Sequence, residues 1–189
     1  AEETDDSLVG ARAMIEALEC FPDLRVVITG VNFDPGCSRH REILTQFADR
    51  NPSRVTLIES LGHRRYLAAL RRARVCIGNS SSGIIEAPAV NVPTVNIGTR
   101  QAGRLRAASV IDASPDYNSV SRALEQALSA DFVEATSQHP RPYGSGGASK
   151  RIVRILADMD LDGVGAKAFR DCGTGCDSWT FVTRVNPSD

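Results

Sequence analysis

Short aliphatic runs alternate along this chain with longer stretches of helical periodicity, and that rhythm leaves few folds open. Arg25-Val26-Val27-Ile28-Thr29-Gly30, Val55-Thr56-Leu57-Ile58, Val75-Cys76-Ile77, Pro93-Thr94-Val95-Asn96-Ile97 and Ala108-Ser109-Val110-Ile111 read as buried strands. Residues 5–20 set Leu8, Ile15 and Leu18 on one helical face behind an acidic start. Further helices are expected over 39–49, 63–74 (with Tyr66, Leu67 and Leu70 inward), 118–130 and 148–158. Strands joined by helices of this length form βαβ units, so the expectation is an α/β fold with a parallel sheet. Ligands of such sheets collect beyond the carboxyl ends of the strands. A domain of this kind normally opens with a strand. Here a helix comes first, so the chain reads as beginning just after one.

Residues 1–160 are expected to form this single domain. Residues 161–189 break the rhythm, are rich in Gly, Asp and Ser, and read as an appended tail of the kind that stays disordered. The Cys172/Cys176 pair within it lacks partner ligands for zinc and is taken as structural or incidental.

Composition matters mainly for what it excludes. A formal charge of −1 gives no global field to recruit nucleic acid or an anionic membrane. The arginines of 64–74 (Arg64, Arg65, Arg71, Arg72, Arg74) lack interleaved aromatics and read as a solvated face. No apolar run is long enough to span a bilayer, and the acidic start is unlike a signal peptide. Five cysteines without a framework argue for a reducing cytoplasm.

The most informative segment is Gly78-Asn79-Ser80-Ser81-Ser82-Gly83-Ile84-Ile85-Glu86-Ala87-Pro88. A strand that ends in small polar residues and restarts as a helix aims several backbone N–H groups at one spot, which attracts phosphate. Ser80 and Ser81 add hydroxyl donors. A single serine here would be only a helix cap; three in a row, flanked by glycines, point to an anion site. Glu86 lies about one and a half helical turns past Ser80. A carboxylate there suits a sugar diol rather than phosphate, so the segment suggests a nucleotide pocket with a phosphate end and a ribose end.

Three further strand ends bear on that pocket. Asn96-Ile97-Gly98-Thr99-Arg100-Gln101-Ala102-Gly103-Arg104 offers Arg100, and less decisively Arg104, as planar forks for phosphate oxygens. Asn32, in Gly30-Val31-Asn32-Phe33-Asp34-Pro35-Gly36, has the reach to touch a sugar or phosphate, although a plain turn explains these residues equally well. Ser60-Leu61-Gly62-His63 is a loop of the kind that holds a flat base through backbone groups; His63 reads as a helix-start residue. Pro142-Tyr143-Gly144-Ser145-Gly146 is either a loop over the rim of the site or a plain turn. No Ser–His–Asp arrangement and no carboxylate pair beside the pocket motif stands out, so no catalytic residue, metal ligand or cofactor is assigned.

The serine segment, followed by Val92-Pro93-Thr94-Val95-Asn96-Ile97-Gly98-Thr99-Arg100-Gln101-Ala102-Gly103-Arg104, resembles the hydrolysing UDP-N-acetylglucosamine 2-epimerases of sialic acid synthesis. Asn32 to Gly36, Ser60 to Gly62 and Tyr143 to Ile152 fit the same family in order, and the likeness covers roughly residues 2–157. The Asp-Ser-Gly-Gly turn and Thr-Glu-Arg-Pro segment of the non-hydrolysing epimerases are absent. Ser145 stands where the family usually has Asp, and the tail after about residue 160 matches nothing in it.

The resemblance implies the second of two Rossmann-like domains in a GT-B arrangement, lacking its first strand and its N-terminal partner domain. It implies that Ser80 and Ser81 bind the diphosphate of UDP, that Glu86 holds the ribose hydroxyls, and that Arg100 neutralises the leaving diphosphate. Leu61 would meet uracil through its backbone, and Asn32 would lie near the nucleotide sugar. The intact, homo-oligomeric enzyme would convert UDP-N-acetylglucosamine and water to N-acetylmannosamine and UDP, with the proton-handling acids in the other domain. A GT-B glycosyltransferase domain and a non-catalytic nucleotide sensor are the competing readings.

Overall fold

The computed structural model describes residues 2–30, 37–137, 140–144 and 146–159. Two compact units divide the chain, 1–145 and 146–189. In the first, helices α1 (Glu2–Glu19), α2 (Cys37–Arg50), α3 (Gly62–Leu70), α4 (Ser81–Ala89), α5 (Tyr117–Leu128) and α6 (Ala130–Ser137) intersperse with strands β1 (Val26–Thr29), β2 (Val55–Ile58), β3 (Cys76–Gly78), β4 (Thr94–Ile97) and β5 (Val110–Ala113). Every expected element of this unit is present, with local shifts. α3 stops at Leu70, and Arg72 N–H turns back to the Ala69 carbonyl at 3.0 Å. β5 starts only at Val110, because Val110 N–H closes a turn on the Ala107 carbonyl at 3.0 Å. The helix expected to run to residue 130 breaks at Ser129, which leaves helical geometry at ψ 143. Its hydroxyl accepts from Phe132 N–H at 3.4 Å and starts α6, a helix the periodicity did not reveal.

All strand pairing among the described residues is parallel, as the alternating pattern requires. The pairs do not form one ladder: β1 pairs with β2, and β3-β4-β5 form a second ladder. Both ladders nonetheless lie on one apolar layer. Val26 and Ile28 of β1, and Val75 and Ile77 at β3, pack against the same buried set from α1, α2, β2 and α5: Ile15, Leu18, Leu44, Phe47, Val55 and Leu124. Neighbouring β3 residues point to opposite faces. Ile77 faces this layer, while Cys76 packs on Leu70, Ala87 and Val92 with Tyr66. Helices α1, α2 and α5 therefore cover one face, and α3 and α4 the other. β4 is buried throughout, whereas Val27 in β1 is 55% exposed.

In the second unit, α7 (Ala148–Asp158) matches the expected helix 148–158. It is amphipathic, with Ile152, Val153, Ile155 and Leu156 exposed along it, and none of its residues is buried. No helix among the described residues is long and apolar enough to cross a membrane.

Candidate nucleotide site

The β3–α4 turn builds the centre of the site. Ser80 sits in extended geometry (φ −77, ψ 145) and caps α4; its Oγ accepts from Ser82 N–H at 3.3 Å. Accepting through oxygen leaves a hydroxyl its proton for a second partner. Ser81 opens the helix, where backbone N–H groups lack carbonyls one turn ahead. The helix dipole adds partial positive charge at that end. Gly83 lets the helix press onto the sheet. A Cβ there would lie 2.8 Å from Thr94 Cγ2, and Thr94 Oγ1 instead donates to the Gly83 carbonyl at 2.8 Å.

Parallel pairing brings the loops after β3 and β4 to one end of their ladder, and the loop after β2 lies at the carboxyl end of the β1–β2 ladder. Leu61, Ser80 with Ser81, and Arg100 follow those strands in turn. Asn32 follows β1 in the chain but lies outside the described residues, as do Ser145 and the Cys172/Cys176 pair.

Two contacts tie these loops together. His63 Nδ1 lies 3.9 Å from Glu86 Oε1, which places Leu61, two residues before His63, close to the second turn of α4. Gln101 Nε2 donates to the Asn79 carbonyl at 2.8 Å. Arg100 and Ser80 are the chain neighbours of those two residues, so the exposed Arg100 starts its reach from beside the serine turn. Leu61 thus lies near Glu86, and Arg100 near the serine turn.

The floor beneath Glu86 is polar and tightly linked. The Tyr66 and Ser82 hydroxyls share a hydrogen bond that joins α3 to the first turn of α4. Burial pushes the Tyr66 phenol above its ordinary value, against the lowering effect of the Ser82 bond, and the nearby Cys76 and Glu86 charges add to the rise. Burial, helped by Glu86, pushes the Cys76 thiol up to about 11. Both groups stay neutral at physiological pH. The five arginines at 64–74 are all exposed, in keeping with a solvated face.

Sequence reasoning missed the support beneath the Arg100 loop. Arg106 donates to the carbonyls of Gln101 (2.8 Å) and Arg104 (2.9 Å) and grips Asp112 through Nε at 3.1 Å. Asp112 Oδ1 also accepts from the buried Asn96 amide at 2.6 Å. Tyr143 donates to the Leu105 carbonyl at 3.2 Å, which sets the segment before Gly144 against the same loop. Arg104 remains exposed, with its carbonyl serving Arg106. Local pattern carried no signal for this network, because it joins Asn96 of β4, Asp112 of β5 and Arg106 of the loop between them.

Residues 1–157 match the family described as UDP-N-acetylglucosamine 2-epimerase. The chain is 32% identical over 161 residues to the GDP/UDP-N,N'-diacetylbacillosamine 2-epimerase (hydrolyzing) of Campylobacter jejuni, covering 85% of this chain and 41% of the relative. Among solved structures, UDP-GlcNAc 2-epimerase from Neisseria meningitidis bound to UDP-GlcNAc superposes with a TM-score of 0.59 at 20% identity, over 80% of this chain and 41% of that one. The S. aureus MnaA–UDP complex gives 0.60 at 22% identity, over 78% and 40%. At such identities the structural likeness establishes a common fold. The chain spans about two fifths of the length of these relatives.

Proposed function

The chain belongs to the UDP-N-acetylglucosamine 2-epimerase family, and from that premise we propose that it is the UDP-binding half of a hydrolysing epimerase. One observation carries the reading: a serine-capped helix N-terminus and the carboxylate of Glu86 lie on the same helix, with the Leu61 loop beside Glu86 and the Arg100 loop tied to the serine turn. That arrangement offers donors for a diphosphate at one end and an acceptor for ribose hydroxyls at the other. Uracil would meet the backbone at Leu61.

In the proposed reaction a base removes the proton at C2 of the sugar, and UDP leaves from C1. Water then adds to the resulting glycal to give N-acetylmannosamine. Negative charge grows on the diphosphate as the C1–O bond breaks. Preset N–H groups, the Ser80 and Ser81 hydroxyls and Arg100 stabilise it, and one such donor is typically worth roughly 2.7–4 kcal/mol of barrier. Holding the UDP handle also sets the sugar against acids supplied by a preceding domain.

The broken sheet supports the view that this half is completed from outside residues 1–189. α1 and α2 cover the same face, and α2 carries the chain from β1 to β2. Right-handed crossovers on one face advance in one direction. A strand leading into α1 would therefore fall on the far side of β1 from β2, between β1 and β3, where the two ladders part.

Calorimetry with UDP and an assay for N-acetylmannosamine test the proposal. The chain alone is expected to bind UDP weakly and to release no N-acetylmannosamine; efficient turnover by it would refute the division of labour. Glu86→Ala is expected to weaken UDP more than inorganic diphosphate, and equal losses would remove the ribose assignment. Comparing UDP-N-acetylglucosamine with UDP-N,N'-diacetylbacillosamine in the intact enzyme separates the two sugar classes.

A further inference from the structure

Gln101 is buried at 4% exposure within a loop whose neighbours Arg100 and Ala102 are exposed. Gly98 (φ +74) and Gly103 (φ +78) take left-handed geometry on either side and let the chain fold inward at this residue. The amide orientation is set by its donor bond, Nε2 to the Asn79 carbonyl at 2.8 Å. Its Oε1 is buried and has no hydrogen-bond partner among the described residues. A buried unpaired acceptor is unfavourable. Methionine, of similar length and without that acceptor, would fill the space at less cost. Packing alone therefore does not account for an amide here. What the amide supplies, and an apolar side chain cannot, is the N–H that holds Asn79.

We propose that Gln101 is a positioning residue that aims the anion cradle. The peptide between Asn79 and Ser80 is planar, so fixing the Asn79 carbonyl fixes the Ser80 N–H on the opposite side of that plane. The same buried side chain pins the backbone from which Arg100 extends, and Arg106 holds that backbone from below through the Gln101 carbonyl. One amide thus sets the mutual placement of the serine turn and the cation loop. This role deepens the UDP-binding reading and rests on it for its purpose, though its geometric effect can be measured without any nucleotide.

The test uses Gln101→Met and Gln101→Glu in the full chain. Hydrogen exchange at Ser82 and Gly83, whose N–H groups bond Ser80, is expected to quicken about tenfold in Gln101→Met, while exchange in β5 and α5 and the melting temperature stay close to the original. UDP affinity should fall about tenfold, and uridine affinity should hold. Gln101→Glu can donate to Asn79 only while its carboxyl is protonated, so it should restore slow exchange at acid pH and lose it as pH rises. Unchanged exchange at Ser82 and Gly83 in Gln101→Met overturns the proposal. A general loss of protection in both variants at every pH also overturns it, because the residue would then be only a packing element. If the unaltered chain fails to bind UDP, the functional reading falls while the exchange data still decide the role of Gln101.

Discussion

Tyr66 and Ser82 join their hydroxyls across the α3–α4 interface, and His63 meets Glu86 further along the same pair of helices. The β2–α3 loop and the helix carrying Glu86 are thereby linked on the sheet edge where the candidate pocket lies. Tyr66→Phe deletes one link and leaves the half-buried Ser82 hydroxyl without its partner. Urea unfolding should show a loss of about 1 kcal/mol. Stability identical to the original would mean that the bond carries no net weight.

Gly83 and Thr94 are in contact where α4 packs on β4. Gly83→Ala would force a Cβ to 2.8 Å from Thr94 Cγ2. Overpacking of this kind typically costs about 1–3 kcal/mol. Pairing it with Thr94→Ser removes the opposing methyl and keeps the hydroxyl that bonds the Gly83 carbonyl. The double variant should therefore recover much of the loss in thermal unfolding; simple addition of two losses would show that the clash is not the cause.

Asp112 accepts from both Asn96 and Arg106. Asp112→Ala leaves the buried Asn96 amide without this acceptor and loosens the loop that bears Arg100. We expect a loss of about 1–3 kcal/mol by denaturant unfolding. Asp112→Asn keeps one carbonyl oxygen for Asn96 and should cost less. Equal effects from the two variants would contradict the assignment of Asn96 as the important donor.

The Cys76 thiol, raised from 9.0 to about 11 by burial, supplies a pH dependence with a defined sign. Between these values the unfolded chain has released a proton that the folded chain retains. The unfolded state binds fewer protons, so stability falls with rising pH. The contribution is fully present below pH 9 and is lost as pH climbs through about 11, with a limiting slope of roughly 1.4 kcal/mol per unit. Tyr66, also raised by burial, acts in the same direction above its ordinary value of 10.0. Comparing the original chain with Cys76→Ala between pH 8 and 11 should show a shallower decline in the variant; parallel curves would remove Cys76 as a source.

Much of the fold was legible because its signals are local. The β-branched run at Val26–Thr29, the amphipathic spacing of α1 and the small residues from Gly78 to Gly83 each declare their geometry within a few positions, and a parallel α/β arrangement follows from their order. The Ser80 cap and its place at a strand end were readable for the same reason. Three-dimensional contacts decided the rest. β1 and β3 share an apolar layer without sharing a ladder, which no local pattern announces. Gln101 is buried although its neighbours are exposed, because its side chain reaches the Asn79 carbonyl, which lies before α4 and β4 in the chain. His63 approaches Glu86 because α3 and α4 share a face of the sheet. Periodicity sees a few residues along the backbone, whereas a long-range hydrogen bond is fixed by segments that meet only once the sheet has formed.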